Sequence, residues 1–287
     1  MTGMNTISAL IRRRPVLTYF TLVILISWTG GAVVVGPGNF PLDWERFEQL
    51  GGAFYGVSIA GPVVAGLVLT GLLDGRRGLR ELLVRLGKWR VGASWYGLAL
   101  LPAVVMAATL LALSPGSWDS IPSIFTSGEK VRAAWMGAAV GLVFGLEELG
   151  WTGFAVPRLR VRHGILATSM MVGLVWGAWH FPLFWQSDSF SSIVPLSLLL
   201  VRLFSWLPAF RTLLVWIYDR TGSLLLPMLM HGCVSAVSVV LVSTGLSGGD
   251  LWAVTLAWPL MMWLLVGALA TTSHGHLERI KVRGVPA

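Results

Sequence analysis

The sequence predicts an all-α, polytopic integral membrane protein with about eight transmembrane helices and both termini cytoplasmic. Three observations predict it. The chain is 55% hydrophobic and only 12% charged, against roughly 25% charged in a soluble globular chain. Apolar runs of about 20 residues, the length needed to cross a hydrocarbon layer, recur throughout with short polar interruptions. The basic residues gather on alternate loops.

In order, the runs cover 16–35, 52–73, 94–114, 133–155, 164–185, 192–210, 223–244 and 250–272. They are near-continuous, whereas the strands of a barrel alternate over about ten residues, so helices are expected. The first run follows Arg12, Arg13 and Arg14 but is too long for a signal core and lacks a small-residue cleavage pattern. A retained first span is expected.

Eight spans place both termini and alternate loops on one side. Those loops carry Arg12 to Arg14; Arg76, Arg77, Arg80, Arg85, Lys88 and Arg90; Arg158, Arg160 and Arg162; Arg211 and Arg220; and Arg279, Lys281 and Arg283. The opposite loops hold Arg46, Lys130 and Arg132 beside Asp43, Glu45, Glu48, Asp119, Glu129, Asp188 and Asp250. Arg202 is left inside the sixth span. This asymmetry accounts for the net charge of +8 without nucleic acid as a partner. The densest basic stretch, read as a loop over 74–93, lies where anionic lipid headgroups would be.

A single cysteine, Cys233, excludes an intramolecular disulfide and any multi-thiolate metal site. It reads as a small packed apolar residue. No repeat or long linker divides the chain, so residues 1–287 are expected to form a single integral-membrane domain.

Within the fourth run, "GLEELGWTGF" places Glu147 and Glu148 at membrane depth. A carboxylate there costs about 2.5–3.5 kcal/mol on insertion scales unless a polar cavity or a partner compensates it. Helical neighbours point about 100° apart, so one glutamate can face a site while the other supports the helix. Two histidines share the depth on other spans, His180 in "WGAWHFPLF" and His231 in "PMLMHGCVSA". His163, His274 and His276 fall in loops or the tail. One intramembrane histidine is readily explained by a hydrogen bond to a neighbouring helix. Two of them plus a Glu-Glu pair on three spans point to an interior pocket. There a glutamate and a histidine can activate water, a second histidine can donate to an oxyanion, and Ser235, one turn from His231, can assist. The set suffices for amide hydrolysis, though a proton or ion relay uses similar residues.

At these residues the sequence resembles the CAAX-protease and bacteriocin-processing family of intramembrane proteases, also called the Abi or type II CAAX prenyl endopeptidase family. Its pattern is Glu-Glu-x-x-x-Arg, Phe-x-x-x-His and His-x-x-x-Asn on membrane helices. Here it reads Glu147, Glu148 and Thr152 within "EELGWTGFAVPRL", then Trp176 and His180, then His231 and Ser235 after the lead-in "IYDRTGSLLLPMLMH". The resemblance covers about 133–245, the expected catalytic core. It implies an eight-helix fold with a conical cavity open to the cytoplasm, in the plasma membrane of a bacterium. It places water activation on Glu147 and His180, assistance on Glu148, and oxyanion stabilisation on His231, with Ser235 only by position. The expected partners are membrane lipid and a membrane-associated protein or peptide substrate, lipidated or not. The oligomeric state is left open. Zinc could bind a glutamate and two histidines, but no third strong neutral ligand is visible, and a cofactor-free glutamate mechanism is preferred.

Two departures carry weight. Thr152 stands where the pattern has arginine and cannot form an i+4 salt bridge to Glu148. Arg202 is the expected substitute, the alternative being that it serves another polar contact or lines the cavity. Ser235 replaces asparagine and keeps one donor of shorter reach. Trp176 in place of phenylalanine keeps an aromatic wall. At ~1.5 Å per residue, Glu147 and His231 lie about 12 Å from the cytoplasmic end and His180 nearer 24 Å, which is awkward for a shared pocket. Two other classes stay open: a catalytically impaired relative acting as an immunity or scaffold protein, and an ion- or proton-coupled transporter.

Overall fold

A computed structural model describes residues 9, 11–113, 122, 126–243 and 251–272. His274, His276, Asp119, Asp250, Arg279, Lys281 and Arg283 lie outside them. Among the described residues every regular element is helical: α1 (Pro15–Val35), α2 (Trp44–Leu86), α3 (Ala93–Ala112), α4 (Gly128–Gly145), α5 (Glu148–Gly150), a π-helical turn (Trp151–Ala155), α6 (Val156–Leu159), α7 (Ile165–Trp179), α8 (Phe181–Phe184), α9 (Ile193–Phe204), α10 (Trp206–Thr221), α11 (Leu225–Ser243) and α12 (Leu251–Thr272). Among the described residues, six helical stretches are long and apolar enough to cross a membrane: Pro15–Val35, Gln49–Leu86, Ala93–Ala112, Gly128–Leu159, Ile193–Thr221 and Thr255–Thr272. Ile165–Trp179 and Leu225–Leu241 are apolar but shorter. The protein is a polytopic helical membrane protein.

Prolines free backbone carbonyls within these helical stretches. Pro62, inside α2, has no N–H for the carbonyl of Ser58, and that carbonyl accepts from the Ser27 hydroxyl of α1 at 2.6 Å. Pro208 likewise cannot bond the carbonyl of Phe204, and the chain breaks at Ser205 between α9 and α10. Pro157 leaves the Gly153 carbonyl without its helical donor, at the end of the π-helical turn. Single π turns inside helices are frequent at functional sites.

Helices α4 and α11 touch through small residues. A Cβ on Gly232 would lie 2.6 Å from the Gly141 carbonyl oxygen, and one on Gly145 would lie 2.8 Å from that of Met228. Such backbone approach is the usual way membrane helices pack without a hydrophobic driving force between them. It brings His231 beside the end of α4. Gly141→Val is expected to cost about 1–3 kcal/mol through overpacking, read as a lower unfolding midpoint in detergent. Gly97→Ala, whose added methyl meets nothing within 4 Å, should leave the midpoint unchanged.

The structure corrects three expectations. The stretch 74–93 is not a loop: α2 continues to Leu86 past a kink at Gly75, whose φ of 64° favours glycine. The fourth span does not stop at 155 but continues helically to Leu159. Arg211 is not in a loop; it is fully buried within α10. Basic residues from the end of α2, from α6 and from the turn after it meet at one end of the bundle. Arg160 grips Asp219 with Nε at 3.0 Å and Nη2 at 3.2 Å, Arg85 donates to the Tyr218 hydroxyl at 2.7 Å, and Arg158 pairs with Asp74. At this end Gly222, with φ 62°, caps α10. Leu224 N–H then bonds the Arg85 carbonyl at 2.9 Å and Ser223 that of Lys88 at 2.7 Å, fixing where α11 starts.

Candidate active site

Glu147 and Glu148 sit where α4 gives way to α5, and both are buried, at 1% and 0% exposure. Glu148 faces α10 and α11. Its Oε2 accepts from Arg211 Nη1 at 2.7 Å and from the Thr152 hydroxyl, and its Oε1 from His231 Nδ1 at 3.0 Å. A carboxylate in an ion pair only accepts, so His231 carries its hydrogen on Nδ1 and presents Nε2 elsewhere. Glu147 faces α7. Its Oε2 accepts from the indole N–H groups of Trp176 at 3.1 Å and Trp151 at 3.3 Å. Each glutamate is thus compensated separately, one by a cation and one by two neutral donors.

His180 follows α7 as its cap residue. Its Nδ1 lies 2.8 Å from the Trp176 carbonyl, which only accepts, so in the neutral ring Nε2 is the free proton acceptor. The hub of the cluster is Trp176. The rings of His180 and His231 meet it nearly edge-on with centroids at 5.2 and 5.1 Å, its N–H holds Glu147, and Arg211 Cζ lies 4.2 Å from its ring centroid. The structure therefore brings Glu147, Glu148, His180 and His231 together around one indole.

The depth mismatch closes for a geometric reason. Because the helix bearing Glu147 runs on to Leu159, Glu147 lies ~18 Å from that helix's basic end, and His180 lies ~22 Å from the start of α7. The start of α11 is itself buried, with Leu224 and Leu226 at 0% exposure, and its bonds to the Arg85 and Lys88 carbonyls set where the count for His231 begins.

Other expectations meet a different arrangement. Arg202 does not neutralise Glu148. It is half-buried in the last turn of α9, its charged neighbour is Asp188, and the ion pair of Glu148 is with Arg211. Ser235 is half-buried one turn beyond His231, and no hydrogen bond described in the cluster reaches it. Arg211, Trp151 and Tyr19 were missed by the sequence reading. Tyr19, fully buried, packs edge-on against Trp151 at 5.5 Å. A signal for Arg211 did exist, since the apolar run continues past it as "TLLVWIY". Among the described residues no group of three His, Cys, Asp or Glu side chains is placed to hold a metal ion. A groove of about 780 Å³ opens at the basic end between Arg77, Arg80, Arg85 and Arg158, and Gly153, next to Thr152, lines it.

Residues 129–237 match the family model described as type II CAAX prenyl endopeptidase Rce1-like. This segment belongs to the Rce1-like CAAX protease family. A 94-residue stretch is 32% identical to CAAX prenyl protease 2 of Methanococcus maripaludis. That alignment covers 32% of this chain and 34% of the relative, so it spans about a third of the archaeal protein's length. The Rce1-like segment runs from the first turn of α4 into α11 and contains every member of the Trp176 cluster.

Proposed function

We propose that the protein is an intramembrane endopeptidase of the glutamic type, hydrolysing a peptide bond of a membrane-associated protein or peptide, lipidated or not. The observation that carries the reading is the convergence of Glu147, His180 and His231 on Trp176 in a buried site, inside a segment of a protease family. The whole chain is read as one membrane domain with its catalytic core at about 133–245, multi-pass in the plasma membrane of a bacterium, with the basic end cytoplasmic.

Glu147 and His180 supply the chemistry of attack. Both indoles bind Oε2 of Glu147, leaving Oε1 unengaged, and His180 offers Nε2. A water between these acceptors gives up a proton as its oxygen attacks the carbonyl carbon. The proton then passes to the departing amine as the tetrahedral intermediate collapses. His231 faces the developing oxyanion. To donate from Nε2 it must carry both ring hydrogens, and Glu148 accepts the one on Nδ1. No cofactor enters this scheme.

The test uses purified full-length chain in proteoliposomes with a farnesylated peptide ending in Cys-aliphatic-aliphatic-X, alongside mass spectrometry of membrane-protein termini in cells. Cleavage that is lost in Glu147→Ala and His180→Ala supports the protease. Ion-dependent flux into the same vesicles, lost in Glu147→Ala, would replace it with a transporter. A folded chain with neither activity, and identical termini in wild-type and His180→Ala cells, would leave a scaffold or immunity role.

A further inference from the structure

The family pattern puts arginine four residues after the second glutamate and phenylalanine four before the first histidine. This chain has Thr152 and Trp176 there. In sequence these are two unrelated departures, but in space they meet at Arg211. That side chain arrives from α10 and puts Nη1 2.7 Å from Glu148 Oε2 and 3.5 Å from the Thr152 hydroxyl. It thereby serves the carboxylate that an i+4 arginine would reach. Its guanidinium lies over the Trp176 ring, a favourable cation–π position. Trp176 in turn donates to Glu147, which phenylalanine cannot do.

The remaining donors of Arg211, Nε and Nη2, are buried without a hydrogen-bond partner. The guanidinium is consequently held by Glu148, Thr152 and the indole face, and the indole is loaded on one side by Arg211 and bonded at its edge to Glu147. We propose that Arg211 and Trp176 form one positioning unit that replaces the in-line arginine of the family pattern. Through it one stacked pair orients both glutamates, and the Trp176 N–H fixes which oxygen of Glu147 faces the water. Arg211 and Trp176 are positioning residues, acting through Glu148 and Glu147. The inference rests on the endopeptidase reading for its consequence in rate, though not for its structural content.

The experiment compares wild type with Trp176→Phe, Arg211→Ala, Thr152→Arg and the double variant Thr152→Arg/Arg211→Ala, each full-length in proteoliposomes, by kcat, KM and unfolding midpoint. Trp176→Phe and Arg211→Ala are each expected to lower kcat by about 100-fold with KM little changed, as misplacement of a reacting group does. Thr152→Arg alone should also be impaired, because it crowds two cations on one carboxylate. The double variant, which restores the in-line arrangement, should recover kcat to within about tenfold of wild type, a reciprocal rescue that exceeds the usual additivity of independent sites. A double variant no better than Arg211→Ala in both rate and midpoint overturns the proposal, as does an unchanged kcat in Trp176→Phe. Should the double variant fail to fold, Trp176→Phe and Arg211→Lys combined decide the matter: a unit predicts strongly non-additive losses, and simple addition overturns it. If neither wild type nor any variant cleaves, the endopeptidase reading fails, while rescue of the midpoint still judges the relocated arginine.

Discussion

Glu147→Gln is expected to remove peptide-bond hydrolysis while leaving the fold intact. The amide keeps the shape of the side chain, and its carbonyl oxygen can still accept from Trp176 and Trp151, which hold Glu147 Oε2 at 3.1 and 3.3 Å. What it loses is the capacity to take a proton from water. General-base removal costs about 10²–10⁴-fold in rate, and His180 cannot make up the loss if the two groups act on one water. The stability prediction has the opposite sign to intuition about buried charge. Glu147 has no cation bonded to it, only neutral donors, so a neutral amide at 1% exposure should be tolerated or slightly stabilising. Single-turnover cleavage rates and unfolding midpoints, measured on one preparation, check both halves. A Glu147→Gln protein that retains wild-type cleavage, or that loses activity only because it unfolds, would remove Glu147 from the chemistry.

What the sequence disclosed and what it hid divide along a physical line. Glu147, Glu148, His180 and His231 were legible because each is a polar group at membrane depth, where cost makes chance placement rare. Trp176 was legible as an aromatic wall but not as a donor, because a letter does not say which edge of an indole faces a carboxylate. Arg211 was hidden by a boundary error of a definite kind. The break at Ser205, imposed by Pro208, interrupts one long helical stretch, Ile193–Thr221. A reading that allots about 20 residues per span stops at 210 and puts the next arginine in a loop. Arg202 then looked like the embedded cation, although its charged neighbour is Asp188 and not Glu148. The same allotment ended the fourth span at 155 and created the depth mismatch. Thus local periodicity located the helices, while their continuation past a proline, or past the kink at Gly75, depended on packing that no single segment encodes.

Arg211→Met carries the second large expectation, a loss of about 3–5 kcal/mol in stability, the range seen when one partner of a buried pair is removed. Arg211 and Glu148 are both at 0% exposure. Without the guanidinium, Glu148 retains only the Thr152 hydroxyl and His231 as donors, one neutral and one with a proton to share. Methionine fills much of the vacated volume and can lie against Trp176, so cavity formation contributes little and the unpaired carboxylate dominates. Adding Glu148→Gln to Arg211→Met should therefore recover most of the loss, since it removes the stranded charge rather than restoring a partner. Glu148→Gln alone should be destabilising, because it strands the guanidinium instead. Equilibrium unfolding in mixed micelles of the four proteins gives the coupling free energy directly. Additive effects, or a midpoint for Arg211→Met equal to wild type, would mean that the pair at 2.7 Å contributes nothing and that Glu148 is compensated by some other group.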